Sequence, residues 1–120
     1  MASSVGIVIP AYRPDINRLS AYVAGLEERV EPDRLRIELY VPETGVVDAL
    51  ADSSATVATA SIRRGKGVAI TAGFERLGTD VLAFVDADGS VPPASVADVI
   101  EPIRTGTADL SVGSRRRPPH

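Results

Sequence analysis

Five apolar residues in succession, Val-Leu-Ala-Phe-Val at 81–85, stop at Asp86-Ala87-Asp88-Gly89, and this junction constrains the fold more than any other segment. A short β-branched apolar run bounded by a turn signal reads as a buried strand of a parallel sheet. Gly89 lets the backbone turn where the run ends. On an extended backbone alternate side chains share a face, so Asp86 and Asp88 point together into the space past the strand. In open α/β sheets that space is where ligands bind. Two convergent carboxylates there suit a hard divalent cation, whose shell water and substrate phosphates complete. A strand and an Asp-Gly turn with both carboxylates solvated fits the same segment, so the junction alone leaves both readings open.

The rest of the chain alternates strands with helices, the pattern of a parallel sheet. Residues 5–9 are apolar apart from Gly6 and run into Pro10, which predicts a first buried strand. Ile16, Leu19, Val23, Leu26 and Val30 follow at three- and four-residue steps, an amphipathic helix with Asp15 as its N-cap. Residues 35–41 alternate and end at Pro42, a second strand. Val46, Val47, Leu50 and Ala51 suggest a short helix, and residues 55–62 a third strand. Ile70, Phe74 and Leu77 place a helix over 67–77, before the strand at Val81. Val96, Val99, Ile100 and Ile103 mark a last helix that Pro102 is expected to kink or end. Residues 110–112 read as a short final strand. The fold class this predicts is α/β: a Rossmann-like, mostly parallel sheet of about four to five strands with helices on both faces.

Composition narrows the function classes. At 120 residues the chain makes one domain, without repeats or linkers before its Pro-rich end. No run of about 18 apolar residues exists to span a membrane, and no signal peptide precedes the first strand. Cysteine is absent, which excludes disulfides, thiolate metal sites and a cysteine nucleophile. The single histidine, His120, is the last residue, so no Ser-His-Asp set can form. A net charge of −3 argues against a nucleic-acid scaffold despite Arg115, Arg116 and Arg117.

Glycine-rich matches mostly fail on inspection. Around Gly65-Lys66-Gly67, Ala60 and Gly67 stand where a Walker A loop needs glycine and a magnesium-binding Ser or Thr. A dinucleotide fingerprint would need its third glycine at Ile70. In a calcium loop starting at Asp86 the glycine comes too early, and Ala97 occupies the place of the bidentate glutamate. What remains is a helix start at 65–68 carrying Arg63, Arg64 and Lys66. Its free amides and positive dipole suit an anion, although an ordinary solvated helix start has the same sequence.

The order of the segments is more specific than any one of them. Val8-Ile9-Pro10-Ala11-Tyr12 ends a strand, and Arg64-Gly65-Lys66-Gly67 opens a helix that contains Gly73-Phe74-Glu75. Val85-Asp86-Ala87-Asp88-Gly89-Ser90 with Pro92-Pro93 comes next, then Ala108-Asp109 and Val112-Gly113-Ser114-Arg115. In this order the chain resembles the family 2 glycosyltransferases, and among them the polyprenyl-phosphate (dolichol-phosphate) mannosyl- and glucosyltransferases. The resemblance implies the GT-A fold, a nucleoside-diphosphate sugar as donor, and a magnesium or manganese ion held by Asp-x-Asp on the diphosphate. Position by position it implies that Pro10 and Tyr12 lie beside base and ribose, and that Asp86 and Ala87 contact the nucleotide. It further implies that Asp88, with Asp86, faces the metal and that Arg115 approaches the diphosphate. Ser90 stands where many relatives have a metal-facing Gln.

Three departures accompany the resemblance. Arg13-Pro14 replace the usual Asn-Glu, leaving Asp15 as the candidate for that nucleotide contact. Pro42-Glu43-Thr44-Gly45 replace Asp-Asp-Gly-Ser, leaving Glu43 as the candidate base-reading carboxylate. In the family the acceptor-binding half and any catalytic base lie beyond Gly-Ser-Arg. The expectation is therefore a nucleotide-sugar-binding domain over 1–115 and a tail over 116–120, truncated at the C-terminus. Alone, such a chain would not transfer sugar and would self-associate through uncovered surface. The whole enzyme would be a metal-dependent inverting hexosyltransferase with a polyprenyl-phosphate acceptor, in the cytoplasm or at the cytoplasmic face of a membrane. Two alternatives stay open: a non-catalytic nucleotide-sugar-binding module, and a sugar nucleotidyltransferase. The latter is disfavoured because Ala11-Tyr12-Arg13-Pro14 stands where that family has a glycine-rich turn.

Overall fold

Strand β1, Val5–Tyr12, is the innermost element, and the apolar side chains of its first five residues are fully buried. The computed structural model describes residues 3–40, 45–60 and 65–105. In chain order β1 leads to α1 (Ile16–Arg29), β2 (Arg34–Tyr40), α2 (Val46–Ala49), β3 (Thr56–Ala60), α3 (Lys66–Leu77), β4 (Val81–Phe84) and α4 (Pro93–Arg104). The strands form one four-stranded sheet in the order β3-β2-β1-β4, and every pairing is parallel.

Alternation along the strands sorts side chains onto the two faces. Val5, Ile7, Ile9 and Ala11 join Leu35, Ile37, Leu39, Val81 and Val85 in one cluster with Leu19, Tyr22, Val23 and Leu26 of α1 and Val96 and Ile100 of α4. Burying a side chain of this size is worth about 1.5–3 kcal/mol, so this face carries most of the stability. The opposite face receives α3, which packs across β1 and β2. There the helix sits very close, because Gly73 faces Val8 and a Cβ added to Gly73 would meet Val8 Cγ2 at 2.6 Å. Helices thus cover both faces, as the sequence predicts. Glu38, the one charged residue buried among the described residues, lies on the α3 face and accepts from Nε of Arg36, two residues away on the same face.

Several boundaries differ from expectation, each for a physical reason. Strand β1 continues through Pro10 to Tyr12. The carbonyls of Ser4 and Val8 accept from β4-side amides while that of Val5 accepts from Asp33, so even-numbered residues of β1 direct their backbone groups toward β4. Pro10 therefore lacks its N–H on the side where β4 has already ended, and the ladder to β2 stays whole. Helix α4 runs past Pro102 to Arg104, and Thr105 donates from its amide and hydroxyl to the Glu101 carbonyl. In the last turn a proline removes only one helical hydrogen bond. Strand β4 is buried on one face only: Leu82 and Phe84 are 43% and 48% exposed. β4 is the last strand of the sheet among the described residues, and the strand predicted at 110–112 lies outside them.

The close seat of α3 gives a stability prediction. Gly73→Ala adds a methyl against the stiff, fully buried Val8. Overpacking costs about 1–3 kcal/mol, against about 1 kcal/mol gained from alanine's helix preference over glycine. We expect a lowered unfolding midpoint for Gly73→Ala alone, and a midpoint above the Val8→Ala parent when it is combined with Val8→Ala. Denaturant unfolding of the four-member cycle measures both signs.

Candidate functional site

All four strands are parallel, so their C-terminal ends, Tyr12, Tyr40, Ala60 and Phe84, lie on one edge of the sheet. From β1 the chain builds outward to β2 and β3, then crosses on the opposite face through α3 and adds β4 on the other side of β1. The reversal opens a crevice beyond the ends of β1 and β4, the place where open α/β sheets bind ligands. The Val85 amide donates to the Val8 carbonyl at 3.1 Å, carrying the pairing one residue past β4. Continued one residue further, the register brings Asp86 level with Pro10.

The segment after β4 is a tight turn. The Gly89 amide reaches the Asp86 carbonyl at 3.3 Å, and Gly89 adopts φ +72°, where glycine is favoured. Asp88 Oδ1 accepts the Ser90 amide at 2.9 Å, the local side-chain bond through which Asp shapes turns. Underneath lies Tyr22 of α1, only 6% exposed, whose hydroxyl donates to the Val91 carbonyl at 2.6 Å. Burial, and then the negative charges of Asp88 and Asp86, push the Tyr22 phenol up to about 12 from its ordinary 10.0. The charges of both aspartates are thus felt at one buried hydroxyl beneath the turn.

The remaining predicted residues fall into three groups. Pro10 and Tyr12 sit on the same face of β1 at its C-terminal end, and Tyr12 is 43% exposed into the crevice region. The Asp15 carboxylate caps α1 by accepting the Arg18 amide at 3.0 Å, which confirms its capping role and ties up one oxygen. Ala87 packs against the core beneath the turn, while Ser90 is exposed and contributes its amide to Asp88. Lys66 is the first residue of α3, on the same sheet edge, and Gly65 caps that helix without a side-chain bond. The Lys66 side chain, Glu43 and Arg115 lie outside the described residues. Sequence reasoning passed over Tyr22. The available signal was a tyrosine within the apolar stripe of α1, where a buried hydroxyl requires a partner.

The donor chemistry fits a hard cation. Among the described residues no group of three or more His, Cys, Asp or Glu side chains is placed to hold a metal ion, which leaves the pair Asp86 and Asp88 as the candidate ligands the sequence suggests at this turn. One or two carboxylates, with water and phosphate oxygens filling the remaining positions, is how magnesium is ordinarily held.

Comparison with known proteins agrees with the class of site this fold defines. Residues 7–119 match the glycosyl transferase family 2 profile, and the chain belongs to that family. It is 37% identical to the undecaprenyl-phosphate mannosyltransferase of Micrococcus luteus over 120 residues, covering 92% of this chain and 48% of that protein. The chain therefore spans about half the length of this curated relative. Among solved structures it is similar to a mannosyltransferase from Pyrobaculum calidifontis in complex with GDP-Man and Mn2+. That match has a TM-score of 0.70 at 17% identity, over 86% of this chain and 33% of the other. A nucleotidyl transferase from Methanothermobacter matches with a TM-score of 0.63 at 13% identity, over 82% of this chain and 57% of the other. At such identities these structures establish the GT-A-like fold that the sequence pattern implies.

The setting of Tyr22 predicts a pH dependence. A phenol whose folded-state value is raised contributes stability that is complete below pH 10 and lost as pH climbs toward 12. In a tyrosinate absorbance titration, the difference between wild type and Tyr22→Phe should show a group ionising near pH 12. In the Asp88→Asn background the same difference should move to lower pH, because one of the raising charges is gone. A Tyr22 ionising at an ordinary pH in the folded protein would contradict the described burial.

Proposed function

We propose that this chain forms the donor-binding part of a metal-dependent, inverting glycosyltransferase. The donor is a nucleoside-diphosphate sugar and the acceptor a polyprenyl phosphate. The observation that carries the reading is the position of the turn bearing Asp86 and Asp88, directly after β4 and beyond the C-terminal ends of β1 and β4, in a member of glycosyl transferase family 2. The names of the similar proteins favour a mannosyl group, with GDP-mannose as donor and an undecaprenyl-type acceptor.

In this reading residues 1–115 are the donor-binding unit. Pro10 and Tyr12 form the wall against base and ribose, and Asp86 and the backbone at Ala87 hold the ribose side of the nucleotide. Glu43 reads the base. Asp88, assisted by Asp86 and the Ser90 position, holds magnesium or manganese. Lys66, the amides opening α3, and Arg115 draw in the diphosphate, as helix starts and guanidinium forks do. An acceptor phosphate oxygen attacks the anomeric carbon opposite the diphosphate, and the carbon–oxygen bond to the leaving group breaks with its electron pair. The configuration at that carbon inverts. A lipid phosphate is already ionised near neutral pH, so the acceptor needs no protein base. A bound divalent cation offsets the charge growing on the leaving nucleoside diphosphate. No helix among the described residues is long and apolar enough to cross a membrane. The lipid acceptor of this reading would be met at the cytoplasmic face of a membrane.

The test is calorimetric titration of GDP into wild-type protein and Asp88→Asn, with manganese and with chelator. Wild type should bind more tightly with manganese, and Asp88→Asn should lose that gain with little change in unfolding midpoint, since Asp88 is exposed. Equal manganese-dependent affinity in both proteins would refute the site. Release of labelled mannose from GDP-mannose, or its transfer to polyprenyl phosphate, separates an enzyme from a module that only binds.

A further inference from the structure

Tyr22 occupies the middle of α1, while the aspartate turn lies more than sixty residues further along the chain; a hydrogen bond joins them, from the Tyr22 hydroxyl to the Val91 carbonyl at 2.6 Å. Within the turn, the Gly89 amide reaches the Asp86 carbonyl and the Ser90 amide reaches Asp88. Local bonds give the turn its shape; its place relative to the sheet is set at its start by the Val85 amide on the Val8 carbonyl and at its far end by Tyr22. Its helix is anchored by Leu19, Val23 and Leu26, all essentially inaccessible to solvent, and by the Asp15 cap. The ring also backs the turn, since a Cβ at Gly89 would stand 3.5 Å from Tyr22 Cδ1.

We propose that Tyr22 is a positioning residue for the donor site: its ring beneath Gly89 and its hydroxyl on the Val91 carbonyl hold the turn that carries Asp86 and Asp88 where both carboxylates can meet a cation with its diphosphate. This rests on the assignment of those two aspartates given above, and it adds a residue outside the Asp-x-Asp segment on which metal affinity depends. Tyr22 does not touch the donor. It acts through the turn, in the way that groups hydrogen-bonded behind metal ligands set affinity by about 10–100-fold.

Tyr22→Phe keeps the ring and deletes only the donor. GDP affinity is measured by calorimetry in manganese and in chelator for wild type, Tyr22→Phe and Asp88→Asn, with amide exchange followed on the metal-free proteins. The proposal expects Tyr22→Phe to lose about tenfold or more of the manganese-dependent affinity and to keep the affinity in chelator. Exchange should quicken at 89–91 but not in β1 or α1. Equal loss in manganese and in chelator would mean general structural damage and would overturn the proposal. Wild-type manganese affinity in Tyr22→Phe, with that of Asp88→Asn abolished, would overturn the positioning role and leave the metal assignment standing. Unchanged affinity in Asp88→Asn would instead refute the metal assignment, and the positioning role with it. A check on unsubstituted protein guards against a variant that fails to fold: the Tyr22 hydroxyl proton should appear in NMR spectra as a slowly exchanging resonance, and rapid exchange of that proton would refute the tether.

Discussion

A strand delivered by a crossover helix can extend a parallel sheet at either open edge, and in this chain β4 takes the edge beside β1 instead of the one beside β3. The rest of the site follows from that choice. It opens the crevice at the strand ends and brings the aspartate turn level with Pro10. It also places α4 next to α1, on the face that holds Tyr22. Close approach of α3 to β1 makes the choice feasible. Gly73 lets the helix settle on Val8, and the bare Cα of Gly6 accommodates Leu77 and Thr79 at the other end. Bulkier residues at either glycine would lift the helix that carries the chain across the sheet.

The edge of the sheet opposite the crevice is closed by polar contacts to backbone. The Asp33 carboxylate accepts the Val5 amide at 2.7 Å, and Asp80 accepts from the amide and hydroxyl of Ser4. Arg104, at the end of α4, donates to the carbonyls of Val30 and Glu31 just after α1, where a cation complements the helix dipole. These contacts satisfy backbone groups and fix the helices at that end. At the crevice edge the turn that carries Asp86 and Asp88 rests on the buried Tyr22, whose hydroxyl donates to the Val91 carbonyl.

Much of this architecture was legible in the sequence because period-two and helical patterns are strong where faces are buried. The run at 81–85 and the stripe from Ile16 to Val30 correspond to β4 and α1 and to their buried faces. Less legible was whatever depends on neighbours in space. Pro10 looked like a strand end because a sequence does not show that its missing donor faces beyond β4. Pro102 looked like a break because its position in the last turn depends on where the helix ends. The run at 81–85 resembled a strand buried on both faces, yet Leu82 and Phe84 are exposed, since an edge position is set by topology. The helical spacing of the α1 stripe does not single out Tyr22. Only the fold reveals that its hydroxyl meets Val91.

The central claim is that Asp86 and Asp88 jointly hold a divalent cation with a nucleoside diphosphate at the end of β4. Crystals grown with GDP and manganese, with data collected for manganese anomalous scattering, test it most directly. The account predicts a single strong anomalous peak within bonding distance of a carboxylate oxygen of Asp88, adjacent to Asp86 and to two phosphate oxygens of the nucleotide. A diphosphate seated elsewhere on the sheet edge, or a manganese peak away from both aspartates, would contradict it.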